Sequence, residues 1–433
     1  MLKRKFTNVL LNWKQNKSKE CLLVKGARQI GKTFIIEDFG KKYYKSYIYI
    51  NFFQQPKLKE IFKGDLSADE LYKKMSVYLK GIKFIENDTL IFIDEIQECP
   101  EARTALKFLA IDGKYDVICS GSLLGIHYKD VSSIPVGYEM QMEMHSMDFE
   151  EFLWAIGINE TAISYVKEYY DKVEKVPDNI NEQFLKYFKE YMVVGGMPEV
   201  VNAFIKTNNY NEVDKVQNKI LKDYLDDIAK YAEVMERPKA RNCFLSIPRQ
   251  LAKENKKFQY SIVENRGRAR KYVNSLDWLR DANLIKYCYN LNVPSFPLNA
   301  HIRTESFKIY LNDIGLLVAL YGFDMKEAIL TNKLLGDIKG GIYENLIAES
   351  LIKNGKELFY YKNDLSTQEI EFFINEGVNI IPIEVKAGNN ASISLNNYIN
   401  KNKPVKAYKF INGNIGVNDV KITLPLYMIM FIK

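Results

Sequence analysis

The sequence predicts an α/β protein whose first domain contains a parallel β-sheet. Residues 21–25 and 89–94 form two short, almost continuous apolar runs, which is the composition of strands buried on both faces of a parallel sheet. Residues 34–39 follow the first run with the apolar spacing of an amphipathic helix. Strands that alternate with helices in this way indicate a sheet covered by helices.

The segment that joins the first strand to this helix fits the phosphate-binding pattern G-x-x-x-x-G-K-[ST] at every fixed position. Its backbone N–H groups and the N-terminus of the following helix can together bind an anion. Lys32 would place its ammonium on the outer phosphates, and the Thr33 hydroxyl would hold Mg²⁺. A chance glycine-rich turn is the alternative, but the flanking strand and helix argue against it. The predicted ATP-binding residues are Gly26, Ala27, Arg28, Gln29, Ile30, Gly31, Lys32 and Thr33.

The second apolar run ends in two carboxylates, Asp94 and Glu95. Ligands of open α/β sheets bind at the carboxyl ends of the strands, so Asp94 is predicted at a Mg²⁺ site, either as a direct ligand of the ion or as a partner of a group that binds it. Glu95 would polarise the water that attacks the terminal phosphate. A solvated strand end is the alternative, and the phosphate loop earlier in the chain makes it the weaker one. With Lys32 and Thr33, these acids would supply most of the apparatus of phosphoryl transfer.

Length and composition bound the remaining possibilities. A chain of 433 residues is too long for one compact core, so two or three domains are expected. The net charge of +7 permits contact with nucleic acid without requiring it. No segment reaches the roughly 18 apolar residues of a membrane span, and no signal-type apolar core follows the basic N-terminus, so a cytoplasmic protein is expected. The five cysteines have no C-x-x-C spacing and are interpreted as small buried hydrophobes.

The rest of the first domain follows the same pattern. An apolar strand at residues 115–122 ends in hydroxyls, and Ser120 is the candidate for contact with the terminal phosphate or the attacking water, with Ser122 as the second choice. A simple Ser-Gly turn is the alternative. Residues 139–147 alternate polar and apolar side chains and are predicted to form the last strand of the sheet. A basic helix is predicted at residues 1–20 and a strand at residues 46–52. Two further helices are predicted at residues 56–80 and 101–110.

The motifs GARQIGKT, IFIDEIQ, CSGS, MDFEEFL, YMVVGGMPEVV and DYLDDIAKYA occur in this order along nearly the whole chain. Together they resemble a family of bacterial and archaeal AAA-type ATPases in which a P-loop domain precedes a C-terminal domain of nuclease-like fold. The resemblance implies an ASCE-type nucleotide domain at residues 1–150, with Asp94 and Glu95 as the acidic pair. The chain departs from the family at Tyr138, where members tend to carry a basic residue. If that residue serves as a trans-acting or sensing cation, this protein lacks it, and hydrolysis is slow or uses another arginine.

Residues 151–237 are predicted to be helical, with one apolar face that includes Phe184, Phe188 and Tyr191. The segment at residues 195–198, Gly-Gly-Met-Pro, interrupts the helices. Periodicity by itself indicates only a helical bundle. The family resemblance implies that this bundle is a lid behind the nucleotide.

Residues 238–300 follow the order of two helices, a turn, a longer helix and a hairpin, which resembles a winged helix-turn-helix. Four basic residues, Arg266, Arg268, Arg270 and Lys271, lie at the start of the recognition helix and are the predicted DNA contacts. The alternative is a winged helix that serves only as a spacer or an oligomer surface, since a fold does not fix a function.

Residues 301–433 carry a second chemical candidate. Glu371 lies on one predicted strand, Glu384 and Lys386 lie on the next, and residues two apart in a strand point the same way. Two acids and a lysine on one face are the layout of PD-(D/E)xK nucleases, in which the acids hold Mg²⁺ and the lysine steadies the attacking water or the scissile phosphate. Glu344, on a preceding helix, is a further candidate ligand. The alternative is an inherited fold without catalysis, because Glu371 stands where the pattern usually has Asp.

The overall expectation is an α/β protein with four parts: a P-loop ASCE/AAA-type parallel sheet, a helical lid, a winged helix and a restriction-endonuclease-like α/β domain. Three classes of function follow. The first is an ATPase that couples ATP hydrolysis, with Mg²⁺, to a partner such as DNA, a second copy of the chain or another protein. The second is a nucleotide-gated DNA-binding protein or Mg²⁺-dependent nuclease, and the third is a nucleotide-bound scaffold with little turnover.

Overall fold

The computed structural model describes residues 2–16, 20–121, 137–334, 336–363, 365, 368–386 and 392–433. These residues form two compact units. The N-terminal unit consists mainly of Lys3–His145, and the C-terminal unit consists mainly of Ser146–Arg280 and Leu284–Lys433. Apart from Asp281–Asn283, which belong to the N-terminal unit, the predicted lid, winged-helix and nuclease-like segments therefore belong to the C-terminal unit. The division of the chain into four domains stays a prediction.

The N-terminal unit contains a five-stranded parallel sheet. Its elements are α1 (Phe6–Gln15), β1 (Cys21–Lys25), α2 (Lys32–Tyr43), β2 (Ser46–Asn51), α3 (Ala68–Tyr78), β3 (Thr89–Asp94), α4 (Pro100–Asp112), β4 (Asp116–Gly121) and β5 (Glu139–Glu143). The strands lie in the order β2-β3-β4-β1-β5, and every pair is parallel. All residues of β3 are buried, as expected for a strand that is covered on both faces. The predicted parallel sheet is confirmed.

One face of this sheet packs against α3 and α4 in a single apolar core. Leu23, Ile50 and Ile93 of the strands share this core with Met75 of α3 and Leu106 of α4, and all five side chains are fully buried. Full burial of such a side chain contributes about 1.5–3 kcal/mol relative to exposure. The core therefore fixes the strands whose carboxyl ends form the site described below.

Two predicted elements of this unit differ from the structure. The helix predicted at residues 56–80 is split into a 3₁₀ helix, Pro56–Phe62, and α3. Between them the Ser67 N–H donates to the Asp65 carboxylate (2.8 Å), so a polar turn interrupts the helix. The final strand, β5, is shorter than the strand predicted at residues 139–147.

The C-terminal unit combines a series of helices with an eight-stranded mixed sheet. Its helices are α5 (Phe149–Ala155), α6 (Glu160–Lys172), α7 (Asp178–Val194), α8 (Pro198–Thr207), α9 (Tyr210–Tyr231), α10 (Arg237–Leu251), α11 (Tyr260–Val263), α12 (Ala269–Asp281), α13 (Ile314–Tyr321), α14 (Asp324–Leu330), α15 (Gly336–Lys353) and α16 (Ile393–Asn402). Its strands are β6 (Ile285–Leu291), β7 (Ile302–Leu311), β8 (Phe359–Lys362), β9 (Glu369–Glu376), β10 (Asn379–Lys386), β11 (Ala407–Ile411), β12 (Gly416–Asn418) and β13 (Lys421–Pro425). They lie in the order β12-β13-β11-β10-β9-β8-β6-β7.

The hairpin β6–β7, predicted as the wing of a winged helix, belongs to this sheet. β6 pairs in parallel with β8, where Asn290 lies beside Tyr360. The Asn290 side chain also accepts from the Lys362 N–H (2.9 Å) and donates to the Lys362 carbonyl (3.3 Å). Because the hairpin extends the sheet that carries Glu371 and Glu384, the sheet runs across the predicted boundary at residue 300.

A glycine pair joins α7 to α8. A Cβ atom on Gly196 would lie 2.0 Å from the Met147 carbonyl oxygen, so only glycine fits. The Gly196 N–H and the Ser146 hydroxyl both donate to Asp313 Oδ2, at 2.8 and 2.9 Å. Asp313 is fully buried and also accepts from the Leu316 N–H at the start of α13 (3.2 Å). The predicted interruption is a packed junction between helices, and the role of these helices as a lid stays a prediction.

The five cysteines are buried free thiols, which confirms their interpretation as small hydrophobes. Burial raises the pKa of the Cys99 thiol to about 12. The reactive thiolate form of this residue is therefore suppressed at neutral pH.

Candidate functional site

The phosphate loop follows the carboxyl end of β1 and leads directly into α2. Gly26, Gln29 and Gly31 have positive φ angles of 148°, 64° and 91°. A Cβ atom on Gly26 would also lie 2.2 Å from the Met144 carbonyl oxygen, so packing as well as backbone geometry requires glycine there. Since α2 begins at Lys32, the loop ends at the positive end of a helix dipole, the arrangement expected for an anion site.

The Lys32 side chain lies over the loop. Its ammonium donates to the carbonyl oxygens of Gly26 (2.9 Å) and Ala27 (2.7 Å). Burial lowers the pKa of Lys32 to about 8, although the carboxylates of Glu95 and Asp94 oppose this shift. The ammonium is thus held among neutral carbonyls and two nearby acids, where an anionic ligand would favour its charged form.

Asp94 connects three of the predicted site residues. Its buried carboxylate accepts a hydrogen bond at Oδ2 from the Thr33 hydroxyl (3.0 Å). The other oxygen, Oδ1, accepts from the Ser120 hydroxyl and from the Glu95 N–H. The structure therefore brings the end of the phosphate loop, the acidic strand and the end of β4 together at one edge of the sheet.

Sequence reasoning missed two residues of this site, Tyr49 and Asn51 of β2. The Tyr49 hydroxyl and the Asn51 amide donate to Asp94 Oδ2 at 3.0 and 3.1 Å. In the pairing of β2 with β3, Asn51 lies beside Asp94, and strand alternation places Tyr49 on the same side. The available signal was a polar residue at the end of the predicted second strand, but the sequence did not show which strand would be its neighbour.

Glu95 lies immediately after β3 in a left-handed conformation, with φ 53° and ψ 48°. Its carboxylate accepts from the Gln97 amide, with Nε2 and Oε2 2.5 Å apart. Gln97 is part of the motif IFIDEIQ, but no pattern in the sequence assigned it a role. The side chain predicted to polarise water is thus held by a neighbour on the same turn.

Ser120 is fully buried in β4, where its hydroxyl donates to Asp94 Oδ1. This contact supports the Asp94 carboxylate directly. The predicted contact of Ser120 with a terminal phosphate or an attacking water stays a prediction, and Ser122 lies outside the described residues.

Tyr138 precedes β5 at the edge of the sheet opposite the phosphate loop. Its carbonyl oxygen accepts from the N–H of Cys21, the first residue of β1 (2.9 Å). The phosphate loop follows the other end of β1, and five residues of extended chain span roughly 17 Å. A basic residue at this position could therefore not reach a phosphate bound by the same chain.

In the C-terminal unit, the structure brings Glu371, Glu384 and Lys386 together. The Lys386 ammonium lies 3.1 Å from Glu371 Oε1 and 3.5 Å from Glu384 Oε1. Burial raises the pKa of Glu371 to about 7 against the opposing pull of Lys386, and the nearby carboxylates of Glu344 and Glu384 add to the rise. The three side chains form one compact charged cluster on β9 and β10.

Glu344, the further predicted metal ligand, is bound by lysines. Its oxygens pair with Lys256 (2.8 Å) and Lys308 (3.3 Å), and it accepts from the Tyr310 hydroxyl (3.2 Å). Burial opposes ionisation, but these two lysines hold the pKa of Glu344 below its ordinary value. Sequence reasoning missed both lysines, which come from segments far from α15 along the chain.

The predicted DNA contacts lie at the start of α12. Arg266 and Arg268 precede the helix, and Arg270 and Lys271 lie in its first turn. All four side chains are exposed. The Lys271 ammonium pairs with Glu264, so this residue is partly neutralised within the chain.

Three segments of the chain match known domain families. Residues 18–153 match the AAA domain. Residues 185–327 match a domain of unknown function, DUF8612, and residues 339–429 match a second one, DUF4143. The AAA match and the parallel sheet with its phosphate loop support an ATP-binding ATPase of the AAA type. The other two matches name no activity and leave the winged helix and the nuclease-like domain as predictions.

Solved structures similar to this chain include the Walker-type ATPase PABY2304 of Pyrococcus abyssi, with a TM-score of 0.44, 14% identity, and coverage of 74% of this chain and 96% of that chain. The ORC1 protein of Aeropyrum pernix in complex with DNA has a TM-score of 0.29 and 12% identity, over 77% of this chain and 95% of that chain. The Cdc6p protein of Pyrobaculum aerophilum has a TM-score of 0.24 and 13% identity, over 76% and 93% of the two chains. No curated protein matches the sequence. These TM-scores are low, so the assignment rests on the AAA match and the site geometry.

Among the described residues, no helix is both long enough and apolar enough to span a bilayer.

Proposed function

We propose that this chain is an AAA-type ATPase that binds ATP with Mg²⁺ at residues 26–33 and hydrolyses it to ADP and phosphate. The observation that carries the proposal is the 3.0 Å contact between the Thr33 hydroxyl and the Asp94 carboxylate. This contact joins the end of the phosphate loop to the end of β3, although 61 positions separate the two residues. This proximity supports a joint role for the loop and the acid at one ligand.

Thr33 and Asp94 fit a Mg²⁺ ion, because a hydroxyl and a carboxylate are the oxygen donors that Mg²⁺ accepts. When bound, Mg²⁺ would neutralise charge on the phosphate oxygens. Tyr49 and Asn51 hold the Asp94 carboxylate in place by their hydrogen bonds. These residues thus order the Asp94 carboxylate before any ligand arrives, which lowers the cost of binding.

In the reaction, the residues of the chain position the reactants. Backbone N–H groups of the loop bind the phosphates, and the Lys32 ammonium moves from the loop carbonyls to the outer phosphates. Glu95 accepts a hydrogen bond from the attacking water and orients its lone pair toward the terminal phosphorus. A bond forms between the water oxygen and that phosphorus as the bond to the oxygen shared with the β-phosphate breaks. One proton of the water passes to the Glu95 carboxylate and from there to the released phosphate, giving ADP and phosphate.

Two variants test the separate roles of the acids. Glu95→Gln should keep ATP binding and lower the rate of hydrolysis by about 10²- to 10⁴-fold, because it loses the water-orienting carboxylate. Asp94→Asn should instead weaken Mg²⁺-dependent ATP binding. Calorimetry measures binding and phosphate release measures turnover. Equal loss of both functions in both variants would contradict the assignment, and a wild-type protein that binds ATP without turnover would be a scaffold.

Coupling to a partner is part of the proposal, and the partner is a DNA, a second copy of the chain or another protein. The exposed basic residues at the start of α12 support DNA as the first to test. Phosphate release should be measured with and without duplex and single-stranded DNA. Stimulation by either would identify the coupled ligand, whereas an unchanged rate would point to a protein partner.

A second candidate function, Mg²⁺-dependent cleavage of DNA, is supported by the cluster of Glu371, Glu384 and Lys386. Both acids have one buried oxygen, Oε2, without a hydrogen-bond partner among the described residues, and these oxygens fit a divalent metal. The carboxylate oxygens of Glu344 already form ion pairs with two lysines. Within the described ranges, no group of three His, Cys, Asp or Glu side chains could hold a metal ion. The cluster thus offers fewer ligands than predicted, and the ATPase remains the first proposal.

The nuclease candidate has a direct test. Supercoiled and linear DNA should be incubated with Mn²⁺ and either the wild-type protein or a Glu384→Ala, Lys386→Ala variant. Metal-dependent products that only the wild type gives would support cleavage at this cluster. Identical products from both proteins would end the nuclease hypothesis and leave a binding or structural module.

A further inference from the structure

Gln97 makes a short contact to the residue proposed to orient water. It lies in a 3₁₀ helix, Ile96–Glu98, that starts directly after Glu95. The Gln97 amide nitrogen donates to Glu95 Oε2 at 2.5 Å. The amide orientation follows from chemistry, because the carboxylate can only accept and the NH₂ group is the donor end of glutamine. The donor end of Gln97 is therefore used by Glu95.

The acceptor end of the same amide is unused. Gln97 Oε1 is buried and has no hydrogen-bond partner among the described residues. A buried acceptor that is left unpaired costs about 1–3 kcal/mol, so such an oxygen is expected to acquire a partner when a ligand or water is present. The structure thus places an unused acceptor on the side chain that holds Glu95.

Hydrogen bonds hold the backbone at Glu95 in its left-handed conformation. A left-handed conformation at a residue other than glycine costs about 1–2 kcal/mol. Here the Glu95 N–H donates to Asp94 Oδ1 (3.1 Å) and the Glu95 carbonyl accepts from the Glu98 N–H (2.9 Å). These bonds fix the turn, and Gln97 fixes the carboxylate that the turn presents.

We propose that Gln97 is a catalytic residue for ATP hydrolysis: its amide N–H positions the Glu95 carboxylate, and its carbonyl oxygen accepts a hydrogen bond from the second hydrogen of the attacking water. Water has two hydrogens, so a single acceptor fixes one O–H direction and leaves the molecule free to rotate about it. Two acceptors, Glu95 and Gln97, fix both O–H directions of the water and therefore the directions in which its lone pairs point. The inference rests on the proposed ATPase function.

Two substitutions at this position test the inference. Gln97→Met keeps the length of the side chain and removes both the donor and the acceptor. Gln97→Glu keeps an acceptor but loses the donor and places a second carboxylate beside Glu95. Glu98→Gln, on the same 3₁₀ helix, is the control for a local change of charge. We expect both Gln97 variants to lower kcat by about 10- to 100-fold and to leave the ATP dissociation constant within about twofold of wild type, with no effect in the control.

A double-mutant cycle with Glu95→Gln gives the decisive readout. Because Glu95 and Gln97 fix the water only when both accept from it, Gln97→Met should cause little further loss of kcat in the Glu95→Gln background. Two losses that multiply, or a Gln97→Met protein with wild-type kcat, would overturn the inference and leave the ATPase proposal intact. If Gln97→Met does not fold, judged by circular dichroism, the same cycle is run with Gln97→Ala, which also removes both the donor and the acceptor. A wild-type protein without turnover would overturn the proposed function and this inference together.

Discussion

At the scale of single residues, the site is organised by one carboxylate. Asp94 accepts five hydrogen bonds, from the phosphate loop, from β2, from β4 and from the next residue in the chain. Each hydrogen bond to a charged group contributes about 1.5–3 kcal/mol to the stability of the fold. Without these bonds the Asp94 carboxylate would be buried and unpaired. The position of the carboxylate is therefore fixed by the fold, and a bound metal would not have to order it.

Lys32 carries the first prediction at this scale. Lys32→Ala should abolish ATP binding, because it removes the cation for the outer phosphates. In the wild-type protein, the pKa of Lys32 is about 8, so the ammonium loses its proton as pH rises above that value. Since phosphate binding favours the protonated form, ATP affinity should be constant below pH 8 and fall above it by up to about tenfold per unit.

Lys32→Arg is the matched control, because its guanidinium stays charged across this range. Its ATP affinity, whatever its absolute value, should not change between pH 7 and pH 9.5 in calorimetric titrations. The same decline in both proteins would mean that another group, or ATP itself, titrates.

At the scale of elements, two adjacent glycines of α15 test how closely this helix packs. A Cβ atom on Gly341 would lie 2.2 Å from the Leu251 carbonyl oxygen of α10, whereas one on Gly340 would lie 3.8 Å from the Lys256 ammonium and clash with nothing. Gly341→Ala should destabilise the protein by about 1–3 kcal/mol, since helix backbones must move apart. Gly340→Ala should stabilise it by about 0.4–1 kcal/mol, because alanine restricts the unfolded chain.

Denaturant unfolding of the two variants measures this difference. Both substitutions add the same methyl group to the same helix, so the effect of helix propensity on the free energy of unfolding is the same in both variants. The difference between the two free energies therefore reports the contact of α15 with α10. Equal stability of the two variants would contradict the close packing of α15 on α10.

At the scale of the whole molecule, the basic residues at the start of α12 decide whether DNA is a ligand. A variant with alanine at Arg266, Arg268, Arg270 and Lys271 should bind duplex DNA more weakly. Its salt dependence should also be shallower, because each phosphate contact contributes a slope of about 0.9 in log affinity against log salt. Lys271 already pairs with Glu264, so the three arginines should account for most of the change.

The matched control replaces four exposed lysines of α6 and α9 with alanine, namely Lys167, Lys215, Lys219 and Lys222. It removes the same net charge from other helices of the C-terminal unit. Fluorescence anisotropy over a series of salt concentrations compares the two variants. A similar loss in both would indicate a general charge effect, and no loss in the α12 variant would leave the hairpin and its helices as a spacer.

The sequence by itself determined the parts of this protein that depend on local chain geometry. The phosphate loop needs two glycines, a lysine and a threonine at fixed spacing between a strand and a helix, and the acids directly follow a buried apolar strand. Glu384 and Lys386 share one face of β10 for the same local reason, since side chains two apart in a strand point the same way. In these cases the spacing of neighbouring residues along the chain sets the geometry.

Only the tertiary structure decided which distant segments became neighbours. It placed Asn51 beside Asp94, joined β6 to β8, and paired Glu344 with Lys256 and Lys308. Each of these contacts depends on strand order or helix packing across many tens of residues, and many alternative pairings bury the same apolar surface. The local pattern therefore specifies the chemical groups of the site, and the packing of the whole chain selects the partners that hold them.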